Sequence, residues 1–198
     1  PMPPTQTAAP SSSLTPMPAP TRTPAPTARP LVEDSKEEGL YQNSTLGVSF
    51  AYPRNWIAEV DSEAGLESVF VSSINPPVSV ILQMSLLFEG DDFESIAQET
   101  FNLLPIYLGV SSMTSTEIDT DYQLADGTEA WYGKGEVIVT GTEIPIRIEI
   151  IAAQRSNFMF QLVTIGNIEE YPELESIFAD IRESFQVFSP RPYGVERE

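Results

Sequence analysis

From Glu143 to Ala153, Ile144, Ile146, Ile148 and Ile150 fall on every second residue. A period of two lines all four along one face of an extended strand and scatters them around a helix. Isoleucine is stiff at χ1 and packs well on a pleated surface, which strengthens the strand assignment. A strand with one apolar face is not stable alone. It needs strand neighbours and a layer to cover that face. The rest of the chain must supply both.

It supplies strands on either side. Thr45–Tyr52 alternates Leu46, Val48, Phe50 and Tyr52, and Pro53 ends the run because proline cannot donate to a ladder. Arg54-Asn55 reads as a turn, with Trp56–Val60 starting again, and Leu66–Ser73 is a third strand. Asn75-Pro76-Pro77 turns the chain into Ser79–Phe88, a strongly apolar run expected to be buried. Met113–Asp119 and Thr128–Thr140 read as strands, joined through the hairpin signal Asp126-Gly127. Gly133 and Gly135 suggest a bulge or bend in the longer one. Arg155-Ser156-Asn157 turns into a last strand, Phe158–Ile165.

Two segments change period. Phe93, Ile96, Ala97, Phe101 and Leu104 fall at helical spacing within Asp91–Leu104, with Asp91 or Asp92 expected to cap the start and Pro105 and Gly109 to close the end. Leu174, Ile177, Phe178, Ile181 and Phe185 form a second one-sided stripe, with acids at its start where the helix dipole favours them. The order is strands, helix, strands, helix, without a β-α-β series. This predicts an α+β domain: an α/β/α sandwich with a central antiparallel sheet of about six or more strands covered by helices.

Residues 1–30 differ in kind. They hold ten of the 18 prolines, are otherwise mostly Thr, Ala and Ser, and lack Asp, Glu, Gly and aromatics. Such a segment cannot bury enough apolar surface to offset its ordering entropy. The reading is a disordered stalk and charged lead-in over 1–39, a folded domain over 40–188, and a flexible tail over 189–198. Fully extended, residues 1–30 would reach roughly 90 Å.

Beyond the proline-rich segment, which carries only Arg22 and Arg29, all 29 acids face eight bases. So acidic a surface repels phosphate backbones and anionic headgroups, which argues against nucleic-acid partners and electrostatic membrane docking. With no Cys and no His, thiol catalysis, Cys- or His-based zinc sites and Ser-His-Asp triads are excluded. No apolar run is long enough to span a membrane. A Pro/Thr/Ser-rich stalk suits a segment that follows a signal peptide and a lipid-modified cysteine, so the expected address is extracytoplasmic, anchored at the cell surface or in the periplasm. Asn43-Ser44-Thr45 matches a glycosylation sequon, a short pattern that often arises by chance.

The candidate sites each have a plainer reading. Glu89, Asp91, Asp92 and Glu94 have the oxygen chemistry Ca²⁺ prefers, but such acids also cap helices. Asp119, Asp121, Asp126 and Glu129 faintly resemble a calcium loop, although Gln123 and Leu124 break the EF-hand pattern, and a solvated hairpin tip is the alternative. Paired carboxylates could serve a glycosidase-like hydrolase, yet nothing among 29 acids selects a pair. Trp56, Trp131 and Tyr132 are the candidate ligand or partner surface, weighed against sheet–helix packing. Trp131 and Tyr132 are adjacent in one strand and must face opposite sides.

The stretches "GVSFAYPRNW", "DGTEAWYGKGE" and "YPELESIFADIRESF" together resemble the PsbP-like superfamily, over about residues 40–188. The resemblance implies an α/β/α sandwich around an antiparallel sheet and a non-enzymatic binding or assembly role. Lys only at Lys36 and Lys134, no His and a Pro/Thr-rich leader suit the family's bacterial envelope lipoproteins better than its photosynthetic members. The expected partner is then an envelope protein or another extracytoplasmic protein, with no cofactor. A calcium-dependent adhesion module is the alternative, and a carboxylate-based hydrolase a more distant one.

Overall fold

The computed structural model describes residues 38–63, 66–109, 113–139 and 144–189. The expected stalk before Glu38 and the tail beyond Ser189 lie outside the described residues. In chain order the elements are β1 (Glu38–Asn43), β2 (Val48–Pro53), β3 (Ile57–Glu63), β4 (Leu66–Ile74), β5 (Pro77–Leu86), α1 (Phe93–Tyr107), β6 (Ser115–Asp119), β7 (Ala130–Ile138), β8 (Pro145–Arg155), β9 (Phe158–Gly166), α2 (Leu174–Ser184) and β10 (Gln186–Val187). Seven of them form one sheet in the order β3-β4-β5-β9-β8-β7-β6, with every pairing antiparallel. The other three strands form a small sheet, β1-β2-β10.

The α+β sandwich read from the sequence is present, and the small sheet is an addition to it. Glu38 and Gly39, assigned to the lead-in, are the first residues of β1. The β1–β2 turn is made by the sequon itself. Asn43 is buried, and its side-chain oxygen accepts the backbone N–H groups of Thr45 and Leu46, each at 2.9 Å. In the fold Asn43 is a turn-forming residue, with its amide turned away from solvent.

Each face of the large sheet has its own core. On one, Ala97 and Phe101 of α1 pack on Trp131, Val137, Ile148, Ile150, Ala152 and Val163. Phe101 and Trp131 meet edge to face, centroids 5.6 Å apart. Such a pair adds about 0.5–1.5 kcal/mol beyond its buried area. On the other face, α2 and the small sheet bring Tyr41, Phe50, Tyr52, Leu174, Phe178, Ile181 and Phe185 onto Val69, Val80, Leu82, Ile151 and Phe160. Strand β8 lies in the sheet interior and is buried on both sides from Ile148 to Ala153. The isoleucine alternation that marks it is therefore only half its apolar content; Ile151 and Ala153 serve the second face.

Two expectations change. Gly133 and Gly135 make no bulge, because β7 pairs residue for residue with β6 and with β8. They let α1 approach: a Cβ at Gly133 would stand 2.5 Å from the Trp131 ring and 3.3 Å from Phe101. Helix α1 also runs through Pro105 to Tyr107 instead of stopping before it. The helix ends one turn later in short-range bonds, from Leu108 N–H to the Pro105 carbonyl and from Gly109 N–H to the Ile106 carbonyl.

Candidate functional site

The aromatic candidates divide between the two cores. Trp56 is 6% exposed and Trp131 is 1% exposed. Trp56 packs with Phe50 and Tyr52 in the core beneath α2 and the small sheet, so "GVSFAYPRNW" is a packing corner. Trp131 lies under α1, where it floors a groove of about 450 Å³ bounded by Asp92, Glu94, Gln98, Glu99 and Leu103. Tyr132 faces the opposite side, as adjacent strand residues must. Both tryptophan side chains are buried, one in each core.

Tyr132 belongs to a polar cluster under α2. Arg182 donates to Glu149 at 2.7 Å, and its guanidinium lies over the Tyr132 ring, 5.5 Å from the centroid. Tyr122 lies beside it, with ring centroids 5.3 Å apart. Burial first, and then the Glu149 carboxylate, hold the Tyr132 phenol well above its ordinary value. The void beside Glu149, Thr164 and Arg182 is about 10 Å³, far too small for an organic substrate. These groups join α2 to the sheet.

In each acidic cluster two of the carboxylates hold local hydrogen bonds. Asp91 accepts the backbone N–H of Phe88 at 2.7 Å. Asp92 is the residue that caps α1, but its carboxylate takes the Ser95 hydroxyl and no backbone N–H. Asp119 and Asp126 accept from the N–H groups of Asp121 (3.0 Å) and Thr128 (2.9 Å), turning the chain. A polar cleft of about 720 Å³ opens nearby, between Phe93, Glu94, Asp121, Tyr122, Glu129 and Gln154. Among the described residues, no three metal-binding side chains converge.

The sequence reading passed over a different surface. Helix α1 roofs only one half of its face of the large sheet, over β7 and β8. Following the register across, Gly133 of β7 lies in line with Ile150, Val163, Ile81, Phe70 and Glu59. The far end of that row is open. Ile57 is 58% exposed, Phe70 41% and Ile74 87%, while Val69 and Val71 on the reverse side are fully buried. Glu59, Asp61, Ser68 and Gln83, all exposed, border this apolar strip. The signal was present in Leu66–Ile74, where Phe70 and Ile74 alternate with buried valines and share a side with serines.

The fold is PsbP-like, as the sequence resemblance implied. The solution structure of cyanobacterial PsbP (CyanoP) from Synechocystis sp. PCC 6803 is similar with a TM-score of 0.57 at 14% identity, covering 78% of this chain and 95% of that one. The Saccharomyces cerevisiae Ran-binding protein Mog1p gives 0.50 at 13% identity, covering 78% and 100%. LpqN of Mycobacterium tuberculosis, described as involved in cell envelope biogenesis, gives 0.48 at 17%, covering 72% and 83%. No protein-family model and no curated protein matches the sequence.

Proposed function

We propose that this chain is a non-enzymatic, extracytoplasmic binding or assembly module, held away from a membrane by its proline-rich leader and a lipid anchor, and that it engages a protein through the open half of the sheet. The observation that carries the reading is the patch of Ile57, Phe70 and Ile74, exposed on β3 and β4 and, among the described residues, not roofed by a helix as the β7–β8 half of that face is by α1. Solvent-facing apolar side chains grouped on a rigid sheet are what protein contacts use. The bordering Glu59 and Asp61 favour a partner whose rim is basic. A binding role has precedent in the fold, since Mog1p is a Ran-binding protein.

The test is crosslinking in an envelope extract with the chain and with its Phe70→Asp variant as baits. Phe70 is half-exposed, so the variant should fold. A partner that crosslinks to the parent chain and is lost with the variant supports the reading. Identical crosslinked sets would remove this face from consideration.

A further inference from the structure

The open half-sheet ends at an open edge. Among the described residues, strand β3 is the terminal strand of the seven, with β4 as its one strand neighbour. A terminal antiparallel strand presents backbone N–H and C=O groups with no ladder partner, a template for one more strand. At β3 this template adjoins the apolar strip, because Ile57 belongs to both. We propose that the partner contributes an extended basic segment that adds to β3 as an eighth strand. The proposal rests on reading this half of the sheet as the interaction surface, and it specifies the partner's form and chemistry.

Charge selects the occupant. On the open face β3 presents Ile57, Glu59 and Asp61 in succession, all exposed, while Ala58 and Val60 point to the other side. An added strand would place its side chains roughly 4.5–5.5 Å from these. The fitting pattern is therefore apolar, basic, basic at alternate positions, with small or apolar residues between. The apolar member would lie across from Ile57, and Lys or Arg across from Glu59 and Asp61. A second copy of this chain fits less well in the registers that pair most of the strand. Antiparallel self-pairing centred on Glu59 sets that carboxylate against its own copy, and centring on Val60 sets Glu59 against Asp61. Like charges directly opposite are unfavourable. The acids that guard the edge against self-association thus admit a cationic strand.

The opposite edge, β6, is less suited. Its residues are exposed too, but its open-face neighbour is the half of the sheet that α1 already covers. An added strand there would gain backbone bonds without an apolar strip beside them.

The experiment uses the ¹⁵N-labelled full chain and a capped nine-residue peptide that carries Ile, Lys and Lys at successive alternate positions with Val between them. A second peptide has the same sequence but is N-methylated at alternate residues, which removes ladder donors and keeps charge and side chains. The proposal requires shift changes and slowed exchange in the amides of Ile57–Glu63. It also requires roughly tenfold weaker binding of the methylated peptide, and similar weakening by Glu59→Gln with Asp61→Asn. Equal binding of both peptides, with shifts over Phe70 and Ile81, would overturn strand addition and leave the surface reading intact. Shifts confined to the acidic turn at 119–129, or no binding, would also overturn it. The Phe70→Asp crosslinking result then judges the surface independently.

Discussion

Arg182, on α2, donates to Glu149, in the middle of the sheet, at 2.7 Å, across 33 residues of sequence. The carboxylate is only 5% exposed. Removing the guanidinium leaves it buried without its counter-charge. Arg182→Met should therefore cost about 3 kcal/mol in urea denaturation. Pairing that change with Glu149→Leu should recover most of the loss, because well-packed apolar replacements often match a buried ion pair. A single variant within about 0.5 kcal/mol of the parent would show that the pair contributes little to holding α2.

Gly133→Ala tests the approach of α1. Local propensity slightly favours alanine over glycine in a strand. The added Cβ, however, would press on the Trp131 ring from 2.5 Å. Overpacking should dominate, with a loss of about 1–3 kcal/mol and an altered near-ultraviolet signal from Trp131. A stabilised variant would mean that the glycine is not required for packing.

Burial, chiefly, raises the Tyr132 phenol above its ordinary value of 10.0 in the fold. The unfolded chain then releases that proton first as pH rises. The contribution to stability is complete below about pH 10 and is lost as pH climbs toward the higher folded value. Tyr132→Phe should flatten the fall in stability above about pH 10 and leave the slope near pH 7 unchanged. Thermal melts at a series of alkaline pH values measure this. Equal alkaline slopes in the two proteins would contradict it.

Asn43→Ala removes an acceptor that serves two backbone N–H groups in the β1–β2 turn. The expected loss is about 1–2 kcal/mol by chemical denaturation, with Asn43→Asp retaining more stability than Asn43→Ala. An unchanged midpoint for the alanine variant would show that water replaces the side chain in this turn.

What the sequence revealed depended on period. The strand alternations and the two helical stripes are properties of single segments, and each became an element near its expected bounds. Strand β1 escaped because charged Glu38 and small Gly39 open it, although Leu40 pairs with Ala51 and Tyr41 with Phe50. Two-residue β10 is too short to carry any pattern. The glycines of β7 were misjudged for a related reason: they make room for the Trp131 ring and for Met113, with Phe101 of α1 close behind, which strand periodicity cannot show. The open half-sheet was hidden in the same way. Phe70 and Ile74 fit a buried strand face equally well, and only the placement of α1 decides that they meet solvent. Trp56 and Trp131 drew attention as aromatics, yet large rings fill cores as readily as they line surfaces.

The small sheet has a topological consequence. Its middle strand is flanked on one side by the first strand of the fold and on the other by the last, with Asn43 and Val187 both opposite Val48. β1 and β10 both run antiparallel to β2 and so parallel to each other, which sets Glu38, beside Pro53, at the opposite end of the small sheet from Val187, beside Val48. The ends can be joined and new ones opened at the 75–77 turn without rethreading the large sheet, provided that the join runs the length of the small sheet. A circular permutant needs a linker between residues 187 and 38 that spans roughly 20 Å, the length of β2 and two strand spacings; with it the native strand order should be kept and the loss of stability confined to the new opening.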